Sequence, residues 1–143
     1  MKQIQTTLTV TAPHRGLYEI TKEITSWLSA QEMQTGLLSV FCRHTSASLT
    51  IQENADPDVG RDLEDALDAL APESPPESSS LYRHTAEGPD DMPAHIKGML
   101  TGVNLSIPVT EGRLALGTWQ GVYLIENRSR PRPREIVLHL VGE

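Results

Sequence analysis

VNLSIPVTEGRLALGTWQGVYLIENRSRPRPREIVLHLV (103–141) is the stretch from which the fold class is read. Val103, Leu105, Ile107 and Val109 alternate with polar residues, the period-2 signature of a strand with one buried face. Pro108 cannot donate to a ladder and marks an edge or a strand end. Glu111-Gly112 makes a tight turn, and Leu114 and Leu116 continue on the return strand. Tyr123 and Ile125 alternate with Val122 and Leu124, and 136–141 (IVLHLV) is a final strand, apolar on both faces. Strands that follow one another without a helix between them pair antiparallel, so the class is α+β with an antiparallel sheet or sandwich.

Upstream, about three more strands and two or three helices complete the pattern. Residues 3–11 alternate, with Ile4, Leu8 and Val10 on one side. Gly16 opens a helical stretch in which Leu17, Ile20, Ile24 and Trp27/Leu28 recur at helical spacing, and Gly36 stops it. The segment 37–42 (LLSVFC) reads as an interior strand and 48–52 (SLTIQ) as the next. Asp56 is a good N-cap before Pro57, and Val59, Leu63, Ala66/Leu67 and Leu70 form the apolar stripe of a helix ended by Pro72. Residues 72–80 (PESPPESSS) form a surface loop. Asp91 caps a short helix through Ala94–Leu100, ended by Gly102. The pieces on either side of the 72–80 loop would each be marginal alone, so residues 1–143 form a single domain.

The charge balance excludes two function classes. Twelve Lys and Arg against nineteen Asp and Glu give a net charge of −7. An acidic chain is a poor match for nucleic acid or an anionic membrane, both of which reward basic residues. No apolar run approaches the roughly 20 residues of a spanning helix, and MKQIQTTLTV lacks the features of a signal peptide. Cys42 is the only cysteine, so no intrachain disulfide forms, and a cytoplasmic location is expected.

The polar residues able to do chemistry concentrate in four segments: 43–54, 82–95, 117–120 and 126–130. His44, His84 and His95 fall in the first two. Three imidazoles with carboxylates nearby are the ligand set of an open catalytic metal site; the alternative is three surface or hydrogen-bonded histidines. If the helix reaches back to residue 91, Asp91 and His95 share a face at i,i+4; Pro93 weakens that and favours Asp91 as the N-cap. Thr45, Ser46 and Ser48 can hold phosphate oxygens or cap their own turn. Cys42 reads as a buried hydrophobe, His139 as a structural histidine and His14 as exposed.

In Gly117-Thr118-Trp119-Gln120-Gly121, two glycines bracket a Trp and a Gln. A bulge there would bring the backbone close to a ligand, with Trp119 stacking on a flat heterocycle and Gln120 reading its edge; an ordinary hairpin turn with a core Trp is the alternative. Arg128, just after a strand, can pair with phosphate, whereas Arg130, Arg132 and Arg134 read as a solvated loop or an intersubunit contact.

At these segments the sequence resembles the secondary thiamine-phosphate synthase family, the YjbQ-like proteins. The resemblance rests on HTSASLTIQENADPDV (44–59), YRHTAEGPDDMPAHIKGMLTG (82–102), LSIPVTEGRLALGTWQGVYLIENR (105–128) and the closing REIVLHLVG, and covers essentially the whole chain. Asn127 departs from it, since a histidine or aromatic is expected after Glu126.

The resemblance implies an α+β, jelly-roll-like β-sandwich with two or three helices, assembled as a homotrimer with a pocket near subunit boundaries. It implies thiamine phosphate synthesis: a pyrimidine-methyl diphosphate is joined to a thiazole phosphate with release of pyrophosphate. Against that chemistry, His44, His84 and His95 are expected to bind a divalent metal, Mg or Zn, with His84, Glu53 and Asp91 catalytic. Thr45, Ser46, Ser48, Asn54, Asp90, Thr118, Trp119, Gln120 and Arg128 are expected at the substrate, with Arg128 neutralising the leaving diphosphate. Two other readings fit the same residues: a metal-dependent hydrolase or phosphatase acting on a small phosphorylated metabolite, and a trimeric metabolite-binding protein without catalysis.

Overall fold

The computed structural model describes residues 1–75 and 80–143. Eight strands and three helices follow one another among the described residues: β1 (Lys2–Val10), β2 (Gly16–Glu19), α1 (Thr21–Ser29), β3 (Thr35–Cys42), β4 (Ala47–Glu53), α2 (Pro57–Leu70), α3 (Asp91–Thr101), β5 (Asn104–Thr110), β6 (Arg113–Leu114), β7 (Gln120–Glu126) and β8 (Arg134–Gly142). They build two antiparallel sheets, one in the order β1-β8-β3-β5-β6 and one in the order β2-β7-β4. The class is α+β, as the alternation in 103–141 requires.

The core comes from the inward positions of both sheets. Leu38, Val40, Ile107, Val109, Ile136, Leu138 and Leu140 face Leu49, Val122 and Leu124, and Ile20 just before α1 with Ile24 and Leu28 of α1 closes one side. The opposite face of the five-stranded sheet carries Leu37 and Phe41, both nearly half exposed. Cys42 is buried in this core, and burial pushes its thiol up.

The helices depart from the sequence expectation in two places. Residues 16–19 are a strand paired with β7, Gly16 opposite Glu126, and α1 begins only at Thr21. Gly16 has φ +147°, a conformation that excludes a helical start there. Gly36 does not stop α1, which ends at Ser29. It lies inside β3 directly opposite Gly142 of β8, where neither strand has room for a Cβ.

In α2, Asp56 accepts the Asp58 N–H at 2.9 Å with Pro57 in the first turn, as its sequence predicts. Helix α3 starts three residues earlier than Ala94, so Asp91 lies inside it. Pro93 is harmless there because the first-turn N–H groups have no intrahelical acceptor. Of the loop expected over 72–80, residues 76–79 lie outside the described residues. Arg134, expected in a solvated loop or at an intersubunit contact, is 1% exposed. No helix among the described residues is long and apolar enough to cross a membrane.

Candidate functional site

The early start of α3 creates the centre of the site. One turn of helix separates Asp91 from His95, so both side chains lie on one face. His95 Nε2 stands 3.1 Å from Asp91 Oδ2, and His84 Nε2, from the loop before the helix, stands 2.8 Å from the same oxygen. The two imidazoles meet edge to face with centroids 5.5 Å apart. The three potential ligand atoms all lie within 4.8 Å of one another.

Arg128 holds the other side of this carboxylate. Its Nη1 donates to Asp91 Oδ1 at 2.6 Å, its Nε to Asp90 Oδ2 at 2.9 Å and its Nη2 to the Glu87 carbonyl at 2.9 Å. Asp90 Oδ2 also accepts the Ser129 N–H at 2.9 Å. Burial works to raise the Asp91 carboxyl, but the hydrogen bond from His84 and the charges of His95 and Arg128 outweigh it and hold it below the ordinary value. Asp90 is held low in the same way: the Ser129 N–H and Arg128 overcome its burial. Asp91, 4% exposed, is therefore a fixed buried anion at neutral pH.

The orientation of His95 is set from behind. Its Nδ1 lies 3.0 Å from the Thr45 carbonyl oxygen, which can only accept, so Nδ1 carries the hydrogen. That contact needs close approach of α3 to the backbone after β3, and Gly98 provides it: a Cβ there would stand 3.2 Å from the same Thr45 oxygen. With Nδ1–H so engaged, a neutral His95 turns its Nε2 lone pair toward a carboxylate oxygen. Two acceptors at 3.1 Å repel unless a proton or a metal cation lies between them. The donor set is thus chemically suited to a cation bound by two imidazoles and one carboxylate.

His44 does not join this cluster. Its Nε2 accepts the Glu135 N–H at 2.8 Å, so the lone pair expected to ligate metal is already occupied. Burial, then the Arg134 charge, lowers its pKa. His44 and His95 instead line an open groove of about 700 Å³ together with Phe41, Met99 and Val103.

Other expected site residues are engaged inside the protein. The Ser46 carbonyl accepts the Asn127 N–H and Arg134 Nη2, both at 3.3 Å. The Ser48 hydroxyl is buried, 2.6 Å from Thr101 Oγ1 and 3.3 Å from Asn127 Nδ2. Asn127, where a histidine or aromatic was expected, is 2% exposed and acts as this internal tie. Thr45 contributes its backbone carbonyl to His95. Arg128, expected on substrate phosphate, has each of its three guanidinium nitrogens on a protein oxygen.

Glu53, Asn54, Thr118, Trp119 and Gln120 lie elsewhere. In the β4–β7 pair, Ala47 faces Glu126 at one end and Glu53 faces Gln120 at the other. Six residues separate those ends, about 20 Å of strand. Two hydrogen bonds hold the turn: the Gly117 N–H donates to Gln120 Oε1 at 2.8 Å, and the Asn54 N–H to the Trp119 carbonyl at 3.0 Å. Asn54 Nδ2 donates to Glu19 Oε2 at 3.1 Å. Trp119 is 63% exposed, neither a core Trp nor in reach of the histidines of its own chain. The sequence reading missed the Thr45 carbonyl because a main-chain acceptor leaves no mark in residue type.

A family model described as "UPF0047 protein YjbQ-like" matches residues 6–143. The chain belongs to the YjbQ-like UPF0047 family. It is 47% identical to the UPF0047 protein sll1880 of Synechocystis sp. over 99% of this chain and 94% of that protein. To the UPF0047 protein YjbQ of Salmonella typhimurium it is 46% identical, over 97% and 98%. Among solved structures, the hypothetical protein APE1520 from Aeropyrum pernix K1 superposes with a TM-score of 0.86 at 30% identity, covering 98% of this chain and 99% of that one. The conserved hypothetical protein TT1486 from Thermus thermophilus gives 0.81 at 41% identity, covering 95% and 99%. The α+β arrangement described above is therefore the fold of YjbQ-like proteins.

Proposed function

We propose that this YjbQ-like protein is a divalent-metal-dependent enzyme acting on a small phosphorylated metabolite, with the metal held by His84, Asp91 and His95. The observation that carries the reading is the convergence of two imidazole nitrogens on one oxygen of a carboxylate whose other oxygen is held by Arg128. Imidazole donors suit Zn²⁺ better than Mg²⁺ or Mn²⁺, which favour oxygen ligands. A cation there would polarise a phosphate oxygen and acidify a bound water. The chain's own residues do the rest: Arg128 keeps Asp91 ionised and oriented, and the Thr45 carbonyl presents His95 through Nε2.

The family resemblance points to thiamine phosphate synthesis as the reaction to test first. Hydrolysis of a phosphate ester is the second reading. It is favoured by the engagement of Arg128, which leaves the residue expected to stabilise a departing diphosphate already bound to Asp90 and Asp91. Assembly as a homotrimer belongs to the same proposal. It would bring the exposed Trp119 of one copy, with Gln120 and Asn54, to the open groove of another, whose rim carries the exposed Phe41 and Met99. A cytoplasmic location is part of the reading as well.

The test incubates the protein with pyrimidine-methyl diphosphate, thiazole phosphate and Mg²⁺, Mn²⁺ or Zn²⁺, beside a His84→Ala control. Thiamine phosphate with released pyrophosphate from the wild type alone supports synthesis. Orthophosphate release without a joined product, lost in His84→Ala, supports the hydrolase. Activity equal in wild type and His84→Ala refutes the site.

A further inference from the structure

Behind the site lies a buried ion pair with no part in the chemistry so far. Arg134 Nε donates to Glu126 Oε1 at 2.8 Å and Arg134 Nη2 to Glu126 Oε2 at 2.6 Å, with side chains 1% and 0% exposed. We propose that Glu126 and Arg134 are the positioning residues of the His84–Asp91–His95 site, holding the Thr45 carbonyl against His95 and Arg128 against Asp91. The proposal rests on the reading of that cluster as a cation site.

Each partner has one further bond, and both run toward the site. Glu126 Oε2 accepts the backbone N–H of Arg128 at 3.1 Å. Arg134 Nη2 donates to the Ser46 carbonyl at 3.3 Å, where the Asn127 N–H also arrives. The pair thus ties residues 45–46, just before β4, to residues 126–128, at the exit of β7. The tied segments bear the two groups that set the cluster: the Thr45 carbonyl on His95 Nδ1 and the Arg128 guanidinium on Asp91. The Glu135 N–H on His44 Nε2, next along from Arg134, anchors the same segment from a third strand.

Stability alone does not account for such a pair. A buried, fully bonded ion pair can often be replaced by apolar residues of similar volume at little loss of stability. An apolar pair would fill the volume but leave the Arg128 N–H without its carboxylate acceptor and the Ser46 carbonyl without its charged donor. Once the 45–46 segment drifts, His95 is free to move its hydrogen to Nε2, the atom that must present a lone pair to a metal.

The experiment compares wild type with the double variant Glu126→Leu/Arg134→Met, and with Glu126→Gln as a milder change. Calorimetry with Zn²⁺ reads affinity, and ¹⁵N histidine NMR of the metal-free protein reads whether His95 keeps a hydrogen-bonded hydrogen on Nδ1, which it does whether or not a proton also lies between Nε2 and Asp91, with the signals assigned by His95→Gln. The expected result is a cooperatively melting double variant whose Zn²⁺ affinity falls about 10–100-fold and whose His95 loses the Nδ1–H form. A folded double variant that keeps both wild-type affinity and the Nδ1–H form overturns the proposal. If the double variant does not fold, Glu126→Gln decides: unchanged affinity and tautomer overturn it, and loss of either supports it. If wild type binds no Zn²⁺, the cation reading fails, and the tautomer comparison alone upholds or overturns the positioning role.

Discussion

Replacing Arg128 by methionine keeps most of the side-chain volume and removes the charge that joins Asp90, Asp91 and Glu87. The Arg128 side chain is 12% exposed and those of Asp90 and Asp91 are 13% and 5% exposed. Removing one partner from a buried pair typically costs about 3–5 kcal/mol, because the remaining charge is left uncompensated. For a chain of 143 residues, 1 kcal/mol corresponds to roughly 2–4 °C, so Arg128→Met is expected to melt roughly 6–20 °C below wild type at about pH 7. Arg61→Met is the control. Its pair with Asp58 has side chains 74% and 69% exposed and contributes no more than about 0.5 kcal/mol, a shift within about 2 °C. The Asp90 and Asp91 carboxyls are held below their ordinary value in the fold. Their contribution is therefore present above that value and lost as pH falls through the folded one, so the gap between Arg128→Met and wild type narrows in acid. Thermal melts by circular dichroism at about pH 7 and about pH 3 measure both effects. An Arg128→Met variant that melts within about 2 °C of Arg61→Met at neutral pH would refute the account of Arg128 as the clamp on a buried anion.

Three further outcomes are expected. Gly142→Ala would drive a Cβ into the Thr35 carbonyl and within 2.7 Å of Gly36 Cα, destabilising by about 1–3 kcal/mol in a denaturant titration; a neutral result contradicts the close Gly36–Gly142 pairing. Burial, then Arg134, lowers the His44 pKa from 6.5, so its contribution to stability is complete above about pH 6.5 and declines as pH falls through the folded value. An NMR titration that places the His44 ring at or above 6.5 contradicts this. Cys42 is 1% exposed and burial raises its thiol, so iodoacetamide at neutral pH leaves the native protein unmodified; rapid alkylation without unfolding contradicts its place in the core.

What was legible in the sequence was what short-range periodicity records. Val103 to Val109 alternate because one face of β5 is buried, and Ile136, Leu138 and Leu140 recur at period two because they point into the core, while Val137, His139 and Val141 on the other face of β8 are only partly buried. The same rule misreads 16–20, where Leu17 and Ile20 at a spacing of three mimic a helix although Leu17 belongs to a four-residue strand. At Asp91 two local rules compete, capping and i,i+4 pairing, and the ends of a helix rarely decide between them without coordinates. Arg134 was misread for a different reason. Its neighbours are prolines and arginines, but its environment is set by Glu126, brought beside it by the packing of β7 and β8. The two residues are only eight apart in sequence, but they lie on strands of different sheets, and no helical or strand period records such a pairing.

The separation along β4 and β7 has a consequence that mixing experiments can expose. His84, Asp91 and His95 stand at the Ala47–Glu126 end, and Trp119 stands beyond the Glu53–Gln120 end, about 20 Å away. If Trp119 serves the reaction, it serves the cluster of a neighbouring copy, through a head-to-tail contact of the kind that closes into a ring. His84→Ala and Trp119→Ala then damage different halves of each boundary. On the proposed trimeric assembly, either variant alone is expected to be inactive. In trimers assembled from an equal mixture, a boundary is intact when its cluster comes from a Trp119→Ala subunit and its tryptophan from a His84→Ala subunit, about one boundary in four for random assembly around a ring. Co-expression is therefore expected to restore roughly a quarter of wild-type activity. A mixture as inactive as its two parents would show that Trp119 and the histidine cluster do not share a pocket across subunits.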